Sequence, residues 1–384
     1  MLHKNSVFHG VLKQVPWHRL DRLVEEHSSD KHVRTLTTKS QLIALTYAQL
    51  SGAQSLREIE AALESHAAKL YHLGGAQVSR STLSDANAQR PWQVFSSLFA
   101  HLTGQLTRGL RRRTREAVHL IDATSLRLSA LSKPWAQFST GICSAKLHVV
   151  YDPDADCPIY AAVTPANVND ITAAKAMPIK PGATYVFDLG YYDYGWWAKL
   201  DTAGCRIVTR LKLNTRLSVV AERAVANGSN ILSDCIGHLP ERMARSRKNP
   251  FQDPVREVRV RIATGKVLRI LTNDLDAPAQ QIADLYKRRW QIELFFRWVK
   301  QTLKIKHFLG RSENAVRIQI AVALIAFLLL RLAHAAQRAV PSLLGFVRLV
   351  RANLMHRRPI DRLLDPPLPL QQNHRQLSLD LCQN

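Results

Sequence analysis

Between Leu285 and Lys304 the sequence spaces Tyr286, Arg289, Glu293, Arg297, Lys300 and Lys304 so that one helix would carry all six on one side. At about 100° per residue they fall within about 80° of one another. Leu285, Ile292, Phe296, Val299 and Leu303 form the adjoining apolar stripe of a helix packed on a core. The result is a carboxylate set among cations beside a buried seam. Read alone, this helix favours a solvated face, because Arg289–Glu293 and Glu293–Arg297 are opposite charges four residues apart, each pair stabilising a helix by about 0.2–0.5 kcal/mol.

The order of residue types points elsewhere. Tyr286-x2-Arg289-x3-Glu293-x6-Lys300 resembles the Y-(2)-R-(3)-E-(6)-K signature of DDE transposases of the insertion-sequence-4 family. The resemblance implies that Glu293 is the third of three metal-binding carboxylates and that the cations around it hold DNA phosphates at the scissile end. It also demands two upstream aspartates, each delivered by a buried strand. Val118-His119-Leu120-Ile121 is an apolar run ending at Asp122, and Thr184-Tyr185-Val186-Phe187 delivers Asp188. Taken singly, Asp122 reads as a strand-end cap and Asp188 as a turn former. With Glu293 they make the expected catalytic and metal-holding triad. Ile121-Asp122-Ala123-Thr124, Asp188-Leu189-Gly190-Tyr191 and the run Leu303–Gly310 extend the resemblance, as do Val15–Arg19 and Lys39–Leu45 near the N-terminus.

Strand transfer is an in-line attack at phosphorus, which two Mg²⁺ ions about 3.5–4 Å apart can assist at both the attacking and leaving oxygens. Mg²⁺ takes hard oxygen ligands, so the expectation is Asp122 bridging two ions, Asp188 on one and Glu293 on the other, with Mn²⁺ able to substitute. Expected DNA contacts are Tyr286, Arg289, Arg297, Lys300 and Lys304, together with Arg111, Arg112 and Arg113 from the basic run between 108 and 115.

The elements that must position these groups follow from the pattern around them. Strands at Lys146–Tyr151 and Ile159–Val163 flank the Asp152-Pro153-Asp154 turn, and a helix at Asp170–Met177 precedes the Asp188 strand. Three strands from an aspartate, a helix and a further strand is the order of a ribonuclease-H-like sheet, so the expected fold class is α/β. From 188 to 293 the chain is longer than that core needs. A β-rich insertion is therefore expected at about 213–272, where Val258, Val260 and Ile262 alternate with Glu257, Arg259 and Arg261 in a hairpin with one basic face. In better-known members of the family the insertion helps to hold the transposon end, in some cases by stacking a Trp on a flipped base. No Trp occurs here between Trp197 and Trp290, which leaves that role unassigned, with Trp290 or Phe251 only a guess.

Residues 1–104 read as an all-helical N-terminal domain, expected to fold separately and to bind DNA. Arg80, Ser81, Thr82 and Asn87 on the second helix of a helix-turn-helix-like pair are candidate readers, against the equally weighted reading of a plain packing unit. A basic linker at 105–117, a catalytic domain at 118–340 and a C-terminal helix with an irregular tail at 341–384 complete the expected organisation.

Composition agrees with a nucleic-acid partner. The 384 residues carry 53 Lys and Arg against 30 Asp and Glu, a net charge of +23, and such an excess calls for a polyanion. Five cysteines lack C-x-x-C spacing, which suggests neither a zinc site nor a disulfide framework. No signal-peptide pattern opens the chain, and the most apolar run, Ile320–Leu330, is too short to span a bilayer. A cytoplasmic, nucleoid-associated protein of bacterial type is expected, with no membrane partner and acting as a homodimer on DNA. The expected function is binding of terminal inverted repeats, cleavage at their ends and joining to target DNA. Two rivals remain at this point: a DNA-binding regulator with a vestigial triad, and a non-transposing nuclease of the same fold.

Overall fold

The computed structural model describes residues 6–110, 117–242, 248–303, 305 and 307–364. Helices α1 (Val7–Leu12), α2 (Trp17–Glu26), α3 (Thr38–Ser51), α4 (Leu56–Glu64), α5 (Ala67–Leu73), α6 (Arg80–Gln89) and α7 (Trp92–Leu110) precede the first strand. Thr37 starts α3 by accepting the Ser40 amide at 3.2 Å, and Gly52, at φ 80°, ends it in the left-handed conformation that glycine adopts without strain. Every residue of α3 from Ser40 to Leu50 is buried. A helix buried all round must lie at the centre of a helical body.

Its cover comes from the far end of the chain. α13 (Glu313–Ala335) is buried without interruption from Ile318 to Leu330 and packs on α3, α6 and α7, while α14 (Leu343–Ala352) packs on α13 and α3. Backbone bonds tie the two ends together, Val7 N–H to His356 O at 3.0 Å and Phe8 N–H to Leu354 O at 2.8 Å. Asn314 Nδ2 donates to Arg90 O at 2.7 Å and to Asn87 O at 3.0 Å. The expected boundary at residue 104 is therefore not a packing boundary. Residues 1–104 expressed alone should lack a cooperative thermal transition, because α3 would present to water the face that α13 covers. Circular dichroism during heating checks this, and a sharp transition in the fragment would contradict it.

α13 is also longer than the 11-residue apolar run marked in the sequence. At 23 residues and mean hydropathy 2.1 it is long and apolar enough to cross a membrane. Here it is the core helix of the helical body.

The sheet begins at β1 (Val118–Leu128) and continues, after the one-turn helix α8 (Lys133–Ala136), with β2 (Gln137–Ser139), β3 (Ile142–Asp152) and β4 (Cys157–Pro165). Next come α9 (Asp170–Lys175), β5 (Thr184–Val186), α10 (Tyr194–Thr202) and β6 (Arg206–Arg210). β7 (Ser218–Glu222), β8 (Ile231–His238), β9 (Val255–Arg261) and β10 (Val267–Thr272) lead to α11 (Ala279–Arg288) and α12 (Trp290–Thr302). β4, β3 and β1 are neighbours in antiparallel order, and β1, β5 and β6 run parallel. The inserted strands do not form a separate layer. β10 pairs with β6, so the ten-stranded sheet runs on through β9 and β8 to β7.

Two sequence expectations change here. β1 does not end at Asp122: it continues six residues to Leu128, paired with β3 from Cys143 to His148, because Leu126 and Leu128 keep the in-out alternation of a strand. The basic face of the β9–β10 hairpin is partly neutralised. Glu257, buried, takes Arg259 Nε at 2.8 Å and both Arg269 Nε at 2.6 Å and Nη2 at 2.9 Å, and these arginines hold its carboxyl below the usual range against the effect of burial.

The two faces of the sheet bury different cores. Leu120, Val149 and Val186 face the core shared with α11, α12 and α13. Ile121, Val150, Tyr185 and Phe187 face a second core with Tyr191, Trp196 and Trp197. Asp122 alternates with Ile121, and Asp188 with Phe187, so both carboxylates belong to the first face, the side on which α12 packs against β1.

Candidate active site

Asp122 stands opposite Val149 on the neighbouring strand, and its Oδ1 accepts the Ala123 amide at 2.8 Å. Asp188 follows β5, its Oδ1 accepting the Gly190 amide at 2.8 Å, and this bond turns the chain out of the sheet into the Leu189–Tyr191 turn. Glu293 lies in the first turn of α12.

Helix geometry departs from the sequence expectation of one uninterrupted helix. α11 ends at Arg288 and α12 begins at Trp290, with a tight turn at Arg289, whose N–H bonds to Tyr286 O at 3.1 Å. Arg289 keeps helical dihedrals (φ −50°, ψ −32°), so the face survives the interruption. At this joint Arg289 Nη2 meets Glu293 Oε1 at 2.6 Å and Nη1 approaches Asp122 Oδ2 at 3.5 Å. The structure thus brings Asp122, Arg289 and Glu293 into one cluster, where helical periodicity by itself offered only Arg289 and Glu293 on one face.

Electrostatics ties Asp188 to the same cluster. Burial pushes the Asp122 carboxyl up to about 6; the Ala123 amide and Arg289 oppose this, and the negative charges of Asp188 and Glu293 add to it. Burial also raises the Tyr286 hydroxyl, opposed by Arg289 and Arg210, with Asp188 adding to the rise. Tyr286 is buried, and its ring centroid lies 5.9 Å from Arg289 Cζ. A buried Asp122 carboxyl whose ionisation two further carboxylates make costlier, with a guanidinium already beside it, forms a place that calls for positive charge.

Among the described residues, no three His, Cys, Asp or Glu side chains stand close enough together to hold a metal ion as they are. The donor chemistry nevertheless fits a hard divalent cation, since all three groups are carboxylates and Asp122 is desolvated beside two others.

Beside the cluster runs a groove of about 800 Å³ between α11 and the β9–β10 hairpin, lined by Arg210, Arg261, Tyr286, Lys287, Arg289 and Trp290 among others. Arg210 is the residue that sequence reasoning missed. It ends β6, the strand beside the one that delivers Asp188, and only the sheet order reveals that neighbour. Arg210 Nε and Arg289 Nε are both buried donors without an acceptor among the described residues. Trp290 is 53% exposed at the rim of the groove, whereas Phe251 is 2% exposed inside the second core and unavailable to any ligand.

The remaining expected contacts separate. Arg297 is exposed and Lys300 half-buried on α12. Lys304, Arg111, Arg112 and Arg113 lie outside the described residues. On α6, Arg80 and Ser81 are exposed, but Asn87 is buried, its Oδ1 accepting Gln41 Nε2 at 2.8 Å, so it is a packing residue and not a reader of DNA.

The setting is an α/β sheet that carries three carboxylates beside a groove with basic residues. Residues 113–329 match the transposase DDE domain, and residues 3–76 match a domain of unknown function. Two similar proteins carry the names putative transposase and probable transposase, respectively. One is y4zB of Sinorhizobium fredii, 44% identical over 297 residues, 76% of this chain and 82% of that protein. The other is assigned to insertion sequence element IS5377 of Geobacillus stearothermophilus, 29% identical over 286 residues, 73% of this chain and 74% of that protein. Transposase InsG for insertion sequence element IS4 of Escherichia coli is 31% identical over 104 residues, 23% of this chain and 24% of that protein. The chain belongs to the DDE transposase family, and it is a DDE transposase enzyme, with the divalent-metal dependence that such a domain implies.

Proposed function

We propose that this transposase is of the insertion-sequence-4 type, that Asp122, Asp188 and Glu293 are its catalytic carboxylates, and that it cleaves and joins DNA at terminal inverted repeats. The observation that carries the reading is the Asp122–Arg289–Glu293 cluster beside a groove in which the buried Nε groups of Arg210 and Arg289 have no acceptor among the described residues. A buried N–H without a partner costs about 1–3 kcal/mol, and phosphate oxygens would satisfy both Arg210 and Arg289. The strand order β4-β3-β1-β5-β6 supports a ribonuclease-H-like core. The partial likeness to the IS4 transposase supports the family type.

Two Mg²⁺ ions, when bound, would stabilise the oxygens entering and leaving phosphorus. The chain's own part is to present three carboxylates from β1, from the turn after β5 and from α12, so that their spacing is fixed by the sheet and the helix packed on it. Arg289 and Lys300 would hold phosphates beside the cut, and Arg210, Arg261 and Lys287 would follow the strand along the groove. Arg297, Lys304 and the run Arg111, Arg112 and Arg113 would add sequence-independent affinity, and two copies would assemble on paired ends.

Binding should weaken steeply with salt, the log–log slope changing by about 0.9 for each phosphate contact on duplex DNA. Arg210→Ala should lower that slope by about one contact and leave folding intact. Fluorescence anisotropy at several salt concentrations reads both, and a salt-independent affinity would argue against the groove. The functional test uses DNA carrying the inverted repeats that flank the gene. With Mg²⁺ the protein should nick at the repeat ends; binding without nicking would favour a regulator, and nicking without joined products a nuclease.

A further inference from the structure

Behind Asp188, on the opposite face of the sheet, lies a polar cluster to which the catalytic reading gives no role. Lys146 and His148 project from β3, where His148 is paired with Ala123, the residue after Asp122. Lys146 Nζ donates to Asp170 Oδ1 at 2.9 Å and to Val168 O at 3.0 Å, which fixes the start of α9. His148 is fully buried. Its Nε2 meets Thr164 Oγ1 at 2.9 Å, and its Nδ1 stands 3.9 Å from Asp170 Oδ1. Tyr191, also fully buried, has a hydroxyl without a hydrogen-bond partner among the described residues.

Gly190 connects this cluster to the triad. A Cβ at Gly190 would lie 3.0 Å from Asp188 Oδ1 and 3.3 Å from Asp170 Oδ2. Both carboxylates therefore crowd the space where a Gly190 side chain would begin, while the Gly190 amide donates to Asp188 Oδ1 at 2.8 Å. Asp170 is held by Lys146, and Asp188 is held by Gly190. Displacing Asp170 would free the turn to rotate and carry the Gly190 N–H away from the catalytic carboxylate.

We propose that Asp170, clamped by Lys146 and seated against Gly190, is a positioning residue that fixes the side-chain orientation of Asp188. The proposal rests on the assignment of Asp188 to the triad. Outer-shell partners of metal-holding carboxylates typically control metal affinity or activity by about 10–100-fold, and Asp170 occupies that position through one glycine. Asn at 170 can still accept from Lys146 and keeps the volume against Gly190. Ala does neither.

The test is Mn²⁺ binding to the full-length, DNA-free protein, followed by the electron paramagnetic resonance of free Mn²⁺, alongside thermal melting in a chelator. Asp170→Ala should weaken Mn²⁺ binding by about tenfold or more with an unchanged melting temperature, and Asp170→Asn should restore most of the affinity. Should Asp170→Ala fail to fold, Lys146→Met loosens the same clamp from the other side and should weaken binding in the same direction. Asp188→Asn separates the premise from the proposal. Wild-type Mn²⁺ affinity in Asp188→Asn would overturn the triad assignment, and with it this role for Asp170. Loss of binding in Asp188→Asn with wild-type affinity in Asp170→Ala, or in Lys146→Met where that variant replaces it, would overturn the positioning role alone.

Discussion

Asp122→Asn is expected to lower end cleavage by roughly 10³-fold or more, since the loss of a metal-holding carboxylate removes several kcal/mol of stabilisation from the reacting phosphate. Asp188→Asn and Glu293→Gln should do the same. For Asp122 the structure adds an expectation about stability that a merely structural residue would not share. Its folded carboxyl is pushed up to about 6, above its ordinary 3.8, chiefly by burial. A raised carboxyl contributes stability that is fully present below its unfolded value and is lost as pH rises through the folded one. In a chelator the wild-type protein should therefore gain relative stability as pH falls from about 7 toward 4, and Asp122→Asn should lose that dependence and be more stable by roughly 1–3 kcal/mol near neutral pH. Thermal melting across pH, paired with a cleavage assay, measures both. A destabilised Asp122→Asn protein with residual cleavage near wild type would remove Asp122 from the site.

The second large effect concerns Arg289 and Lys300. If Arg289 only paired with Glu293 on a solvated face, replacing it would cost under about 1 kcal/mol and leave cleavage untouched. Its contacts point further, because it also lies 3.5 Å from Asp122 and its buried Nε has no acceptor among the described residues. Arg289→Gln should leave carboxylates short of counter-charge, lowering stability in a chelator by roughly 1–3 kcal/mol. Added divalent cation should restore that loss. Cleavage should still fall by about 10²-fold, because the phosphate loses its orientation beside the carboxylates. Lys300→Ala should show a catalytic loss as well, since Lys300 sits two turns beyond Glu293 on α12 and a phosphate held there would lose its orientation. Single-turnover rates with a nicked end, read beside melting curves, separate the outcomes. A stable and fully active Lys300→Ala protein would return the outer part of this face to a surface role.

How much of this arrangement could be read beforehand depended on how local its cause was. Asp122 and Asp188 stood out because each follows an apolar run, a pattern that one strand imposes on its own sequence. The length of β1 did not, because Ala123-Thr124-Ser125 interrupts the apolar run while Leu126 and Leu128 continue the alternation only in partnership with β3. Helical periodicity located Arg289 and Glu293 on one face, yet the turn at Arg289 and its approach to Asp122 arise from packing of α12 on β1. Arg210 was invisible because its relation to the site depends on β6 lying beside β5. The apolar sequence of α13 announced a buried helix but not its partners, which lie more than two hundred residues away in α3, α6 and α7. Asn87 looked like a DNA reader by composition, and its bond to Gln41 of α3 is a tertiary contact that composition cannot contain.

The most direct test of the central claim is strand transfer from a pre-cut DNA end into a supercoiled target in the presence of Mg²⁺. Wild-type protein should join an end carrying a 3′-hydroxyl and fail with the matching 3′-deoxy end, and Glu293→Gln should bind the same end without joining it. Joining that persists in Glu293→Gln, or cutting of the target without any joined product from the wild-type protein, would contradict the account.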